Sequence, residues 1–410
     1  MSKRFFLPVL ITILLPSLTL SAQDIPVVNI ENQVVQLFMS KGPYQAFGSQ
    51  ESYFADPIDF PIRYAQDKPA GFLINWDGDA GKKYTVILAE TVKDNYYQKT
   101  VFKEKVQGTS YVFTNLYPQK VYSYTVKKGL KTILTGSFKT EGQVRMLDIE
   151  DSCNARDLGG WTGLDGRKIR YGLLFRTASI DGAYEGVHGE NCGNNRCRDP
   201  HHQEAQTQVG DPARYTLSPQ SLKELKQIGI KADLDMRGVT GEGMWGNQCM
   251  THTRSLGLTK IPGADYFQLV NDYALHNPFE DPAMVRDVDW IIKELRKGRP
   301  VAFHCRSGAD RTGALAMLIE ALLGVSGGDI ALDYELTSLS SEGTGQTRSA
   351  KNVLTSGYGF YGRGFTTLEV DASDPAKVLH KQAFKYLTTS FPEYAIPAAD
   401  LEWFINFMLE

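Results

Sequence analysis

The chain has 410 residues, of which 42% are apolar and 22% are charged, and its formal net charge is -3. This length exceeds one ordinary hydrophobic core, so we expect two domains. The nearly balanced charge gives no argument for a nucleic acid or an anionic membrane surface as a partner, and we expect no nucleic acid partner.

The first residues, 1–22, have the pattern of a secretory signal peptide. Two basic residues come before the apolar run Phe5–Leu20, and small residues end at Ala22. A membrane anchor is the alternative, but the apolar run is short and is broken by Pro8 and Pro16. We therefore expect an exported protein, secreted or periplasmic, with no membrane span after the signal peptide is removed.

Residues 24–142 are predicted to form an all-β domain. Short segments of alternating apolar and polar residues recur there, and turn residues separate them at the intervals typical of a sandwich. These segments are Gly71–Trp76, Lys83–Ala89, Ser110–Phe113, Val121–Val126 and Leu134–Phe138. The pattern Leu116-x-Pro118-x-x-x-Tyr122-x-x-x-Val126 resembles the strand-F region of fibronectin type III modules, which implies an immunoglobulin/fibronectin-like sandwich. Another type of β-sandwich is the alternative, and no residue of this domain looks catalytic.

After a linker near Thr140–Gln143, residues 146–410 are predicted to form an α/β domain. An alternating segment predicts a strand that ends in Asp235 and Arg237. Open α/β sheets bind their ligands at the carboxyl ends of strands, so these two residues are candidates for a site. A helix that begins at Pro282 leads into a further strand, which predicts a βαβ unit.

Five cysteines occur in the chain, and they are Cys153, Cys192, Cys197, Cys249 and Cys305. Because we expect export, disulfides are permitted, and we predict the pairs Cys192–Cys197 and Cys153–Cys249, with Cys305 as a free thiol. A zinc site is the alternative, although its spacing matches no standard pattern and we expect no metal. Its ligands would be His188, Cys192, Cys197, His201 and His202. The surrounding polar segment, residues 184–214, is predicted to be an insertion over the active site or a surface excursion.

A short loop connects a predicted buried strand to a predicted buried helix. Val301–Phe303 is apolar and β-branched or aromatic, and Ala314–Leu323 is a long apolar run. Between them, Cys305 and Arg311 are separated by five residues. The backbone N–H groups of such a loop and the N-terminus of the helix can together hold an anion. The loop is therefore predicted to bind a phosphoryl group.

The residue types in this loop indicate nucleophilic catalysis. A cysteine at the base of an anion-binding loop has its thiolate favoured over its thiol, and the guanidinium of Arg311 can hold two phosphoryl oxygens. We therefore predict in-line attack by Cys305 through a cysteinyl-phosphate. The predicted phosphate-binding residues are Arg306, Ser307, Gly308, Ala309, Asp310 and Arg311. A buried structural cysteine beside a helix cap is the alternative interpretation.

The run from His304 through Cys305 and Arg311 to Thr312 resembles the phosphate loop of the cysteine-dependent protein tyrosine phosphatases. Asn154-x-Arg156-Asp157-Leu-Gly-Gly, Leu174-Phe-Arg-Thr177 and Asp235-Met-Arg237 resemble motifs of one bacterial branch of that family. The resemblance implies an α/β tyrosine-phosphatase fold, with a central, mostly parallel sheet flanked by helices, and a reaction that needs no cofactor.

Several residues are predicted to support the loop. Thr312 would hydrogen-bond the thiolate, and His304 would order the loop from below. A buried Arg–Asp pair beside glycines more often braces a turn than takes part in chemistry, so we predict a structural role for Arg156 and Asp157. The remaining supporting residues are Asp235 and Arg237.

Two aspartates compete for the role of proton donor to the leaving group. Asp310 comes directly before Arg311, and the bacterial branch has an aspartate there that is thought to serve in catalysis. Asp272 lies 33 residues before Cys305, near the spacing at which other tyrosine phosphatases carry a mobile-loop aspartate. The Trp-Pro-Asp signature of those loops is absent here, so we favour Asp310.

The sequence therefore predicts an exported phosphatase that hydrolyses phosphate monoesters, with phosphotyrosine as the favoured substrate. An inositol phosphate or phosphoinositide phosphatase is the first alternative. Many relatives carry a Lys associated with that activity where this chain has Ala309. A non-catalytic phosphate-binding or adhesion protein with the same fold is the second alternative. The partner is a phosphorylated protein or a small phosphate ester, and the sequence gives no indication of the oligomeric state.

Overall fold

The structure is a computed structural model that describes residues 25–43, 67–91, 98–178, 180, 183–184, 215–236, 265–268, 282–305, 308–340 and 375–410. The chain divides into two compact units. The first comprises Met1–Ile30 and Pro69–Gln143, and the second comprises Glu31–Lys68 and Val144–Glu410. Glu31–Lys68 lies within the predicted β domain of residues 24–142 but belongs to the second unit, so the boundary differs from the predicted one.

Helix α1, Gln33–Met39, gives the physical reason for this difference. The side chain of Asn32 caps the helix by accepting hydrogen bonds from two backbone N–H groups of its first turn. The side chains of Val35 and Phe38 are fully buried in the core of the second unit. A helix of only seven residues is marginal in water, so its burial in this unit stabilises it.

The described elements of the first unit are strands. Their bounds are β1 Val27–Asn29, β2 Phe72–Asn75, β3 Lys83–Thr91, β4 Gln98–Gln107, β5 Ser110–Phe113, β6 Val121–Lys128 and β7 Lys131–Glu141. Five of them form a sheet in the order β1-β7-β6-β3-β4, and β2 pairs with β5. Only β1, which runs parallel to β7, departs from the antiparallel pairing among these described strands. Alternate residues of β6 are buried and form an aromatic core with Phe113 and Phe138.

The second unit contains the central sheet. Its strands are β8 Arg156–Asp157, β9 Leu174–Thr177, β12 Ala232–Asp235, β13 Asp265–Gln268 and β14 Val301–His304, while β10 Ala183–Tyr184 and β11 Tyr215–Thr216 form a separate pair. The order is β13-β12-β14-β9-β8. The first four strands run parallel, and β8 is antiparallel to β9. Strands β9, β12 and β14 are completely buried, as is typical of a parallel sheet covered on both faces.

Six further helices belong to the described part of the second unit. They are α2 Pro219–Ile228, α3 Ala283–Arg296, α4 Asp310–Leu322, α5 Gly327–Glu335, α6 Pro375–Thr389 and α7 Ala398–Met408. The side chain of Ser218 caps the start of helix α2, and the helix ends at Gly229, whose φ is 93°. Helix α4 is almost entirely buried, so the apolar run behind the phosphate loop forms the centre of the core.

Within the ranges that the structure describes, we find no helix that combines the length and the apolar character needed to cross a membrane.

Candidate active site

Cys305 lies in the turn between the end of β14 and the start of α4. It is a free cysteine and only 4% exposed. Arg306 and Ser307 lie outside the described residues, so their predicted contacts with phosphate stay predictions. The other predicted phosphate-binding residues are described, and they are Gly308, Ala309, Asp310 and Arg311.

Gly308 requires the conformational freedom of glycine. Its φ is 64°, in the left-handed region, and a Cβ at this position would lie 2.4 Å from the carbonyl oxygen of Thr177. The carbonyl oxygen of Gly308 accepts hydrogen bonds from Arg176 Nη2 and Asn154 Nδ2, both at 3.1 Å. The loop is therefore pressed against the end of β9, and two donors fix the direction of its backbone.

The surroundings of Cys305 favour its thiolate. Burial opposes ionisation, but the charge of Arg311 and the hydrogen bonds from the side chain and backbone of Thr312 outweigh it, so the pKa of Cys305 lies below its ordinary value. Thr312 Oγ1 also accepts a hydrogen bond from the N–H of Cys305 at 2.7 Å, which leaves its own proton for the sulfur. The predicted hydrogen bond from Thr312 to the thiolate stays a prediction, which this arrangement of the hydroxyl supports.

Replacing Thr312 by alanine is expected to raise the pKa of Cys305, because a hydrogen bond to the thiolate is lost. Such a bond to a charged group is worth about 1.5–3 kcal/mol, so alkylation of Cys305 by iodoacetamide at acidic pH should slow by about 10- to 100-fold. The difference in alkylation rate between Thr312→Ala and the wild type should narrow at alkaline pH, where Cys305 is a thiolate in both proteins. Thr312→Ser keeps the hydroxyl and should follow the wild type, and a wild-type pH profile in Thr312→Ala would contradict this role.

Arg311 is held in place from the neighbouring strand. It lies in the first turn of α4 and is 6% exposed, and its Nη1 donates to the carbonyl oxygen of Met236 at 2.9 Å. Met236 directly follows β12. Because the charge of Arg311 acts on Cys305, the guanidinium can act on an oxyanion bound above the same sulfur.

His304 is the last residue of β14 and contacts the backbone of Cys305, so its predicted role in ordering the loop stays a prediction. Its Nδ1 donates to the carbonyl oxygen of Cys305 at 3.0 Å. Its Nε2 is 3.1 Å from Asp233 Oδ1, and its Nδ1 is 3.9 Å from Asp235 Oδ1. All of these side chains are fully buried. Asp235 therefore lies beside a supporting histidine, while Arg237 lies outside the described residues.

A buried charge cluster stands behind Gly308. Arg156 Nε donates to Asp333 Oδ1 at 2.9 Å, and Arg176 Nη1 donates to Asp333 Oδ2. Arg156 Nη1 also donates to Asn154 Oδ1 at 2.6 Å. Burial favours the neutral form of Asp333, but the two guanidinium groups hold the pKa of this carboxyl below its usual range. The cluster thus orients both donors to the Gly308 carbonyl.

Asp157 braces a turn, but with partners other than its neighbour Arg156. Its carboxylate accepts hydrogen bonds from Arg145 Nη1 at 2.8 Å and from the N–H groups of Gly159 and Gly172 at 2.9 and 2.8 Å. Burial nevertheless raises the pKa of Asp157. These contacts support the predicted structural roles of Arg156 and Asp157, although the two side chains contact different regions of the unit.

Asp310 is the first residue of α4 and is partly exposed. The hydroxyl of Tyr334 donates to its Oδ1 at 3.4 Å. The competing Asp272 lies outside the described residues. The same holds for Cys192, Cys197, Cys249 and the histidines of the alternative zinc site, so the predicted disulfide Cys192–Cys197 stays a prediction. Cys153 is buried in the second unit and forms no disulfide, so the predicted pair Cys153–Cys249 is wrong.

The structure adds site contacts for residues to which the sequence analysis gave no role. They are Asn154, Arg176, Asp233, Asp333 and Tyr334. Asn154 and Arg176 lie within the motifs that carry the family resemblance, and a period of two places Asp233 on the same face of β12 as Asp235.

The site is suited to nucleophilic catalysis on an anionic substrate, because the buried Arg311 and Thr312 both favour the thiolate of Cys305. The sequence pattern of the tyrosine phosphatase family matches residues 147–187 and 212–391, more than half of the chain. The chain therefore belongs to the tyrosine phosphatase family.

Individual proteins are also similar to this chain. A Cupriavidus necator protein, whose name assigns it provisionally to the tyrosine-protein phosphatases, is 25% identical over 207 residues, which are 46% of this chain and 61% of the relative. The chain thus spans less than two thirds of that protein. The crystal structure of P. aeruginosa TpbA aligns with 58% of this chain and 89% of its own, at 12% identity and a TM-score of 0.21, which is too low to support an argument.

Proposed function

We propose that this chain hydrolyses phosphate monoesters through a cysteinyl-phosphate intermediate. The observation that carries the proposal is a buried Cys305 whose pKa is lowered against burial by Arg311 and Thr312. The thiolate attacks phosphorus, the ester P–O bond breaks, and an aspartic acid gives its proton to the leaving oxygen. Water then gives a proton to that aspartate and attacks phosphorus, the P–S bond breaks, and inorganic phosphate leaves with the thiolate and the aspartic acid restored.

The favoured substrate is phosphotyrosine. The family and the name of the Cupriavidus necator relative point in this direction. An inositol phosphate or a phosphoinositide is the alternative. Ala309, which is buried, stands where a Lys would add positive charge for a polyphosphate, and this supports the tyrosyl ester.

The test is turnover by the full-length protein of p-nitrophenyl phosphate, phosphotyrosine peptides, inositol phosphates and phosphoinositides. We expect hydrolysis of the aryl phosphates and the peptides. Acid quenching during turnover should trap one phosphoryl group on the peptide that contains Cys305, detected by mass spectrometry. Turnover without this adduct would contradict the intermediate, and a preference for the inositol esters would contradict the substrate.

For the proton donor we propose Asp310, with Asp272 as the alternative. Asp310→Asn is expected to lower kcat by about 10²–10⁴-fold on aryl phosphates with a leaving-group pKa near 10, because a phenolate needs protonation. Esters with acidic leaving groups should be affected much less. A series of aryl phosphates measures this dependence for both variants. A steep dependence of kcat on leaving-group pKa in Asp272→Asn, but not in Asp310→Asn, would transfer the role to Asp272.

We also propose that residues 1–22 direct export and that the mature protein is secreted or periplasmic. The basic start and the apolar run Phe5–Leu20 support this proposal. Fractionation of cells that express the chain with and without residues 1–22 provides the test. Export of the shortened chain would contradict it.

The first unit is proposed to be fibronectin type III-like. The hydroxyl of Tyr122, in β6, accepts a hydrogen bond from the N–H of Tyr117 at 3.1 Å, which is the type of contact made by a tyrosine corner. We propose that this unit positions the enzyme or contacts its partners, since no catalytic residue was predicted within it.

A further inference from the structure

Asp67 and Lys68 lie outside the residues that match the family, but they belong to the second unit, which carries the candidate active site. The carbonyl oxygen of Lys68 accepts a hydrogen bond from Asn32 Nδ2 at 2.7 Å. Lys68 Nζ donates to the carbonyl oxygens of Ile149 and Ser152 at 2.9 and 3.2 Å. The backbone beside Asp67 is therefore fixed to the turn that carries Asn154, although the family match begins only at residue 147.

Asp67 makes a buried contact with that turn. Asp67 is only 3% exposed, and its Oδ2 accepts a hydrogen bond from the N–H of Asn154 at 2.5 Å. Asn154 has a φ of 51°, in the left-handed region that costs a non-glycine residue free energy unless its surroundings hold it there. The hydrogen bond to Asp67 is one contact that stabilises this backbone conformation of Asn154.

The side chain of Asn154 carries this contact onward to the phosphate loop. Its Nδ2 donates to the carbonyl oxygen of Gly308 at 3.1 Å, and its Oδ1 accepts from Arg156 Nη1 at 2.6 Å. Both ends of the amide are thus engaged, and the backbone N–H is taken by Asp67. The direction of the Gly308 carbonyl determines how the neighbouring amide groups of the loop point.

We propose that Asp67 is a positioning residue of the active site, which acts through Asn154 on the Gly308 carbonyl. The proposal rests on the proposed function, because it concerns the loop that holds the phosphoryl group. Without Asp67, the turn at Asn154 relaxes and the Gly308 carbonyl loses a donor. The N–H groups of the loop are then less well oriented toward the bound phosphoryl group. Both the thiolate of Cys305 and the transition state therefore lose stabilisation.

The experiment compares Asp67→Ala, Asn154→Gly and the double variant in the full-length protein. Glycine at position 154 keeps the left-handed backbone while removing the amide. Each single variant should lower kcat on p-nitrophenyl phosphate by about 10-fold, with KM nearly unchanged, because ground-state binding is affected less than transition-state binding. The pH profile of Cys305 alkylation, followed by mass spectrometry, should shift to higher pH in both single variants. In the double variant, kcat should fall little further than in the more impaired single variant, because the two substitutions act through one contact.

Asp148→Asn is the matched control. Asp148 forms a partly exposed ion pair with Lys68 at 3.1 Å, next to Asp67, and its replacement should leave kcat and the alkylation profile unchanged. Asp67→Ser, whose side chain is too short to reach Asn154, serves if Asp67→Ala does not fold.

A folded Asp67 variant with a wild-type alkylation profile would overturn the proposal. Fully additive losses in the double variant would overturn it as well. A wild-type protein without turnover would contradict the proposed function instead, and the alkylation profiles would still decide the role of Asp67.

Discussion

Cys305→Ser is expected to abolish turnover of p-nitrophenyl phosphate, with a loss in kcat of about 10³-fold or more. The hydroxyl of serine remains protonated near neutral pH, so the charge that Arg311 and Thr312 stabilise in the wild type is missing. The backbone loop and Arg311 stay in place, and inorganic phosphate should therefore still bind. Steady-state kinetics measure the first effect, and calorimetric titration with phosphate measures the second.

Cys153→Ser provides the matched control for this experiment. Cys153 is a second buried cysteine of the same unit, with the same 4% exposure as Cys305, and it lies outside the phosphate loop. Its substitution should preserve turnover at temperatures where the variant is folded. Comparable kcat values in Cys305→Ser and the wild type would end the thiolate mechanism.

Asp333→Ala is expected to lower the free energy of unfolding by about 3–5 kcal/mol, because it removes the carboxylate shared by two buried guanidinium groups. Arg156, Arg176 and Asp333 are all fully buried, so water cannot replace the lost contacts. Urea denaturation measures the change. Asp289→Ala, which breaks an exposed ion pair with Lys293, is the control and should cost at most about 1 kcal/mol.

The cost of Asp333→Ala should also depend on pH. The pKa of Asp333 is lower in the folded protein than its ordinary value, so this carboxylate stabilises the fold at any pH above its unfolded pKa. That contribution is lost as the pH falls through the folded pKa. The difference between variant and wild type should therefore narrow in acid, and a difference independent of pH would contradict the charged role of Asp333.

Local patterns were sufficient to predict several elements. Strand β5 coincides with the predicted segment Ser110–Phe113, and the loop at Cys305 follows a strand and precedes a helix as its apolar flanks indicate. Strand β4 was not predicted. Its sequence, Gln98–Gln107, contains four charged residues, and it lies at the edge of its sheet, where charged side chains protect against unwanted pairing.

The partners of the buried charges could not be predicted from the sequence. Arg156 meets Asp333, which lies 177 residues further along the chain. Burial requires that such an arginine be paired, but nothing local to either residue identifies the other. The same holds for Asp67 and Asn154, which are 87 residues apart. The family resemblance gave the chemistry of the loop and several of its supporting residues, whereas only the fold showed which side chains pair with one another.

The early position of α1 has a consequence for biosynthesis. Val35 and Phe38 share one core with Leu401 and Phe404 of α7, and the backbone of Lys168 exchanges hydrogen bonds with Glu410. A nascent chain emerging from the ribosome therefore cannot complete this core until the residues up to Glu410 have been synthesised. For the exported protein that we propose, this delay in folding is useful, because a polypeptide that has not yet folded can still be threaded through a secretion channel.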